Sequence, residues 1–122
     1  MIKDSDKNIY ITKDSGIRMT YKSGLARDIE EGKPRYDLIY VPFLDDWANL
    51  MARGAAKYGE KNWMNANSIP ELDRFKASAW RHFMAFMKGE NDEAHHVAIA
   101  FNIAAIQYLM NKLKVDIKGN KL

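Results

Sequence analysis

The sequence predicts a mostly α-helical fold: a short N-terminal β-hairpin followed by a three-helix bundle that becomes oligomeric through its last helix. Three observations lead there. Apolar residues recur at helical spacing in three segments bounded by start and stop signals. Period-two alternation is confined to a short stretch near the N-terminus. The third helical segment, from Val97 to Met110, is apolar nearly all round, broken only by Asn102, Gln107 and Tyr108. A helix without a polar face is buried on more than one side, and two short helices are expected to leave room for a second copy of the chain.

The elements follow in order. Residues 1–8 read as a disordered lead, residues 9–114 as a single domain and residues 115–122 as a basic tail. Ile9, Ile11, Ile17, Met19 and Tyr21 alternate with polar positions around Asp14-Ser15-Gly16, which reads as a hairpin. Gly24-Leu25-Ala26-Arg27-Asp28 is a second small-residue turn. The first helix is expected from about Pro42 to Tyr58, opened by Pro, with Asp45 and Asp46 suiting the positive end of its dipole and Gly59 stopping it. The second starts at Ser68-Ile69-Pro70-Glu71, where Glu71 stands three residues after a Ser cap, and ends at Lys88-Gly89. The third is expected to start after Asn91, with Asp92 and Glu93 in its first turn, and to reach Lys114.

Composition excludes several classes. The 122 residues suit one domain, and none is cysteine, which removes disulfides, thiolate metal sites and a Cys nucleophile. No apolar run approaches the ~20 residues that span a bilayer. The N-terminus lacks a signal-peptide core, so a cytoplasmic protein without membrane contact is expected. The formal charge of +3 is matched by the tail alone, where Lys112, Lys114, Lys118 and Lys121 face Asp116. The rest of the chain is neutral, and a neutral body does not suit polymeric nucleic acid. A small phosphorylated ligand remains open.

Chemistry-bearing residues fall into five groups. In Gly32-Lys33-Pro34-Arg35, the Gly and Pro exclude a helix interior, so Lys33 and Arg35 sit on irregular backbone, with Arg27 on the turn before. Such loops hold phosphate oxygens, or are simply solvated surface. Lys57-Tyr58-Gly59-Glu60-Lys61-Asn62-Trp63 links the first two helices. There Trp63 either caps the core or stacks on a purine. Arg81-His82 lies mid-helix, and His82, close to the aromatic line of Phe75, is either a core residue or a ligand. Glu90, Asp92 and Glu93 cluster at the next turn, enough carboxylates for a hard cation, although acids also favour helix N-termini. Asp92, His95, Ile99 and Asn102 share one helical stripe. They read either as a cap, a solvated imidazole and an interhelical hydrogen bond, or as a polar pocket for a cation and a base or sugar edge. His96, on the next stripe, could take the place of His95.

Taken in order, Gly32-Lys33-Pro34-Arg35-Tyr36-Asp37-Leu38-Ile39, Gly54-Ala55-Ala56-Lys57-Tyr58-Gly59 with Asn62-Trp63, Arg81-His82, Gly89-Glu90, His95-His96 and Asn102 resemble the phage and prophage family of dATP/dGTP diphosphohydrolase N-terminal domains. The resemblance covers about residues 24–113. It implies a nucleotide-binding helical protein in the cytoplasm of a bacterial host. Such a protein cleaves purine deoxynucleoside triphosphates to the monophosphate and pyrophosphate with a divalent cation, Mg²⁺ or Mn²⁺. On that reading Glu90, Asp92 and Glu93 are catalytic, and Glu90, Asp92, His95 and His96 hold the metal. Arg27, Lys33, Arg35 and Lys57 bind ligand, as do Asn62, Trp63, Arg81, His82 and Asn102. The chain differs from the family pattern in carrying Ile99 where relatives often have His, and in having no Glu-x-x-Glu pair on its first two helices. A non-catalytic alternative is therefore carried forward: a phage sponge that binds no metal and sequesters a nucleotide second messenger of host defence, of cyclic-nucleotide type.

Overall fold

A computed structural model describes residues 11–122, and the chain divides into two compact units, 1–36 and 37–122. The expected disordered lead and the hairpin positions Ile9 and Tyr10 lie outside the described residues. In the first unit, β1 (Arg18–Thr20) pairs antiparallel with β2 (Ala26–Asp28) in the register Arg18↔Asp28, Met19↔Arg27, Thr20↔Ala26. The hairpin is therefore present, but its turn is Tyr21–Leu25 and not Asp14–Gly16. Gly24 takes φ 92°, and Tyr21 N–H donates to Leu25 O at 2.9 Å. Asp14-Ser15-Gly16 instead forms a polar knot. The Ser15 hydroxyl and backbone N–H both donate to the Asp28 carboxylate, and Arg18 reaches Asp14 at 2.8 Å. The Ser15 bonds hold the Asp28 carboxyl below the usual carboxylate range.

The second unit holds α1 (Val41–Tyr58), α2 (Ile69–Met87) and α3 (His95–Leu113), with 3-10 turns at Tyr36–Leu38, on the unit boundary, and at Asn62–Asn65. The Pro42, Gly59 and Ser68–Glu71 signals operate, whereas Asp45 and Asp46 lie beyond the first turn of α1, which begins at Val41. Gly59 ends α1 at φ 97°. Ser68 caps α2 by accepting from Glu71 N–H, while Glu71 accepts from the Ser68 hydroxyl at 2.6 Å. The third helix begins later than its sequence suggests, at His95, so Asp92 and Glu93 lie in the connecting turn.

The core sits between α2 and α3: Leu72 and Leu109 are fully buried, joined by Ile106, Ala79 and Ala66. Each Leu-sized side chain contributes roughly 1.5–3 kcal/mol by leaving water. The apolar circumference of α3 is largely covered within the chain, by α2 on one side and by α1 and the Asn62–Asn65 turn on the other. Ile103 is its one large apolar residue that stays exposed, so the helix does not need a second copy to bury it. Nor does the basic tail fray. Val115 is buried in the core, and Asp116 accepts from the backbone N–H of Lys118 and Asn120, both at 2.9 Å. Lys76 Nζ ties the segment to α2 through Ile117 O at 2.8 Å. No helix among the described residues is long and apolar enough to cross a membrane.

Candidate functional site

The cleft of the second unit is built by a corner in the chain. After Gly59, Lys61 adopts the left-handed conformation at φ 57° and the backbone turns into the Asn62–Asn65 segment. That turn lays Trp63 against α3, edge-on to Phe101 at 5.9 Å and to Tyr108 at 5.2 Å between ring centroids. Tyr108 Oη and Lys112 Nζ each donate to Met64 O at 3.1 Å, and Lys112 also reaches Ala66 O at 2.8 Å. Trp63 is thus a packed, half-buried residue that also faces the cavity.

The cavity has a volume of about 820 Å³, within the usual range for small-ligand sites. Half-buried Trp63, Phe75 and Phe101 give it apolar walls, and exposed Arg53, Lys57, Lys61 and Arg74 surround them with positive charge. Gly54 faces the same space, and a Cβ there would meet nothing within 4 Å. Lys57 Nζ stands 5.0 Å from the Tyr58 ring centroid, and Tyr58, with a smaller pull from Glu93, holds the ammonium pKa above its ordinary value. Asn102, buried on α3, donates to Ala98 O at 2.8 Å within its own helix, not across helices.

At one end of the cleft, α2 and α3 bring two imidazoles together. His82 Nδ1 and His95 Nδ1 are 2.9 Å apart, and His95 Nε2 is 2.8 Å from Asp92 Oδ1. The hydrogen bond from His95 holds Asp92 below the usual carboxylate range, so the carboxylate is ionised and accepts. His95 therefore carries its proton on Nε2 and turns the Nδ1 lone pair towards His82. Burial lowers the pKa of His82, which keeps it neutral and lets its Nδ1–H donate to that lone pair. Glu93 completes the group: one ligand atom from each of His82, Glu93 and His95 lies within 4.8 Å of the others. Two imidazoles and a carboxylate, with a second carboxylate behind one imidazole, fit a divalent transition metal such as Mn²⁺ better than Mg²⁺, which prefers an all-oxygen shell.

Of the residues singled out by sequence, Lys57, Asn62, Trp63, His82, Glu93 and Asn102 converge on this cavity. His95 and Asp92 stand directly behind it. Glu90 pairs instead with Lys88 at 3.4 Å, and His96 pairs with Asp46 of α1 at 2.8 Å, which ties α1 to α3. Arg81 is exposed, reaches Ser78 Oγ at 3.4 Å and lies outside the cavity lining. Arg27, Lys33 and Arg35 belong to the first unit, all exposed. Sequence reasoning missed Arg53, Lys61 and Arg74. The signal was present: Arg53, Lys57 and Lys61 recur every four residues, as do Arg74, Ser78 and His82 along α2.

A family model described as dATP/dGTP diphosphohydrolase, N-terminal, matches residues 23–118, and the chain belongs to this family. No curated protein and no solved structure matches it.

Proposed function

We propose that this family member binds a purine deoxynucleoside triphosphate in the α1–α2–α3 cleft and hydrolyses it to the monophosphate and pyrophosphate. The observation that carries the reading is the convergence on one cavity of aromatic walls, four cationic side chains and the His82–Glu93 end of the candidate metal centre. Arg53, Lys57, Lys61 and Arg74 would take the phosphate oxygens, Arg by paired N–H donors and Lys as point charges. Trp63, Phe75 and Phe101 would receive the base. Asn102, oriented by Ala98 O, would offer its remaining polar atoms to a base or sugar edge. His82, Glu93 and His95 would hold the divalent cation, Mn²⁺ in preference to Mg²⁺, with Asp92 orienting His95. A divalent cation so bound supplies charge neutralisation and a more acidic water. In the reaction the oxygen of water joins the α-phosphorus and the α–β bridging bond breaks. Pyrophosphate leaves with the bridging oxygen, and the protons of water pass to phosphate oxygens and solvent.

One observation favours the sequestering alternative. Among the described residues the cavity is lined by two carboxylates, Glu71 and Glu93, and Glu71 is already engaged by Ser68 and by Asn67 N–H. One remaining acid is few for metal-assisted hydrolysis. The deciding experiment incubates the purified protein with a panel of purine nucleotides, linear and cyclic, with Mn²⁺ or Mg²⁺. Both the supernatant and the heat-released ligand are then chromatographed. Hydrolysis predicts loss of dATP or dGTP with equimolar pyrophosphate. Intact nucleotide that stays with the protein would make it a sponge, and neither turnover nor retention would overturn both readings.

A further inference from the structure

Among the described residues, Asn102 is the one fully buried polar side chain that lines the cleft, at 5% exposure. Its Nδ2 donates to Ala98 O at 2.8 Å. A carbonyl oxygen can only accept, so the amide has a single allowed orientation, and turning it over would set Oδ1 against Ala98 O, acceptor against acceptor. Among the described residues Oδ1 has no hydrogen-bond partner, yet no enclosed side-chain polar atom lacks one. Oδ1 is therefore open, and the space beside Asn102 is the cleft. The cleft thus contains an acceptor of fixed position whose donor must come from a ligand.

We propose that Asn102 makes the cleft selective for adenine over guanine, its Oδ1 accepting from the 6-amine of the base. The inference rests on the nucleotide reading of the cleft given above. The base is the part of the ligand that meets Asn102, because the aromatic walls stand there: Phe101 is its neighbour on α3, and Trp63 packs on Phe101 at 5.9 Å. The phosphates belong at the other end, beside the His82–Glu93–His95 group, where Arg53 and Glu93 also line an adjoining hollow. His95 and Asn102 are seven residues apart, roughly 10.5 Å along α3, which leaves room for the sugar between them. A purine so placed has N9 towards the start of α3. On its N7 edge, N7 lies nearer that end and the 6-substituent farther away. Asn102 Nδ2 stands on the Ala98 side, one turn nearer the start, so its second N–H meets N7 while Oδ1 meets position 6. Adenine presents an amine donor there, the pairing by which Asn reads adenine in duplexes. Guanine presents O6, a second acceptor, and the amide cannot turn over to suit it. The opposite edge of guanine carries a 2-amine, but the deoxyribose flanks that edge and stands between it and the helix. A matched pair of this kind discriminates by about tenfold to a hundredfold.

The test is calorimetry on the whole chain with Mn²⁺ and α,β-methylene deoxynucleoside triphosphates, whose α–β bond is not hydrolysed, so that binding is read without turnover. The adenine analogue should bind about tenfold to a hundredfold more tightly than the guanine and hypoxanthine analogues, which both carry O6. Asn102→Leu removes Oδ1 and should bring the adenine and guanine analogues to within about threefold of each other. The ligand series on the wild-type chain carries the test if that variant fails to fold. Equal binding of the adenine and guanine analogues would overturn the assignment and leave the cleft reading standing. So would guanine bound more tightly than hypoxanthine, which would mark the 2-amine as the group read, or a preference for adenine that survives Asn102→Leu. Binding of neither analogue would overturn the cleft reading, and this inference with it.

Discussion

Replacing Asp92 with Asn exchanges one carboxylate oxygen for an amide group on the far side of His95 from His82. The wild-type carboxylate accepts from His95 Nε2 at 2.8 Å, and its charge is what keeps the proton on that nitrogen. A neutral amide still fits the space but no longer favours that tautomer, so the Nδ1 lone pair turned towards His82 is present for only part of the time. Carboxylates placed behind metal-bound imidazoles typically contribute 10–100-fold to metal affinity. The Asp92 side chain is 70% exposed, so water competes for it, and a loss near the tenfold end is expected. Titration of Mn²⁺ by calorimetry, or by the resonance signal of unbound Mn²⁺, measures the change. His95→Gln removes a ligand outright and should reduce binding much further. Helix integrity is not at stake, because Ala94 occupies the N-cap position of α3 and no side chain caps there. A Mn²⁺ affinity within twofold of wild type in Asp92→Asn would refute the orienting role. Wild-type protein that takes up no Mn²⁺, Co²⁺ or Zn²⁺ at millimolar concentration would refute the His82–Glu93–His95 centre itself.

The fold makes an equally direct prediction: Leu109→Ala, at a fully buried position, should cost about 2.7–5 kcal/mol in denaturant unfolding. Gly54→Leu should leave the melting temperature near wild type, since a Cβ there meets nothing within 4 Å and the position lines the cleft, while weakening nucleotide binding by filling that space; unchanged affinity would move the ligand elsewhere. Lys33→Ala with Arg35→Ala should weaken nucleotide binding by about tenfold or more if that loop holds phosphate, and equal binding would make it a connector. Because His82 lies below its ordinary pKa of 6.5, the unfolded chain takes up that proton first. The stability concerned is fully present above about pH 6.5 and is lost as pH falls through the lowered value. Melting curves between pH 7.5 and about 5 should show a steeper decline for wild type than for His82→Gln.

The helices were legible because their ends are chemically marked. Ser68 with Glu71, Pro42 and Gly59 act locally, and local signals survive folding. The hairpin register was not, because alternation from Ile9 to Tyr21 is satisfied by two different turns; Gly24, at positive φ, decides between them. Val115 read as part of a basic tail because Lys112, Lys114, Lys118 and Lys121 flank it in sequence, and its own burial leaves no mark in that composition. At the site, sequence picked out both histidines of the pair but not their contact, since thirteen residues and an interhelical turn separate them. Asp92 was read as a metal ligand, and the structure places it behind His95, 2.8 Å from its Nε2. His96 was the plausible substitute for His95 by sequence, yet a helix turns adjacent residues about 100° apart, and that rotation sends His96 to Asp46.

The two jaws of the cleft are anchored unequally. Trp63 is held by Phe101 and Tyr108, and Lys112 and Tyr108 fasten the backbone beneath it to α3. The opposite jaw, α1, contains no fully buried residue and is tied to α3 through the half-exposed His96–Asp46 pair and Phe43. With fewer buried contacts, α1 is expected to be the jaw that yields when the cleft opens, while the Trp63 wall stays with the α2–α3 core. Amide hydrogen exchange should follow the same hierarchy, with α1 opening at lower free energy than α2 and α3, and a bound nucleotide should slow exchange in α1 most of all.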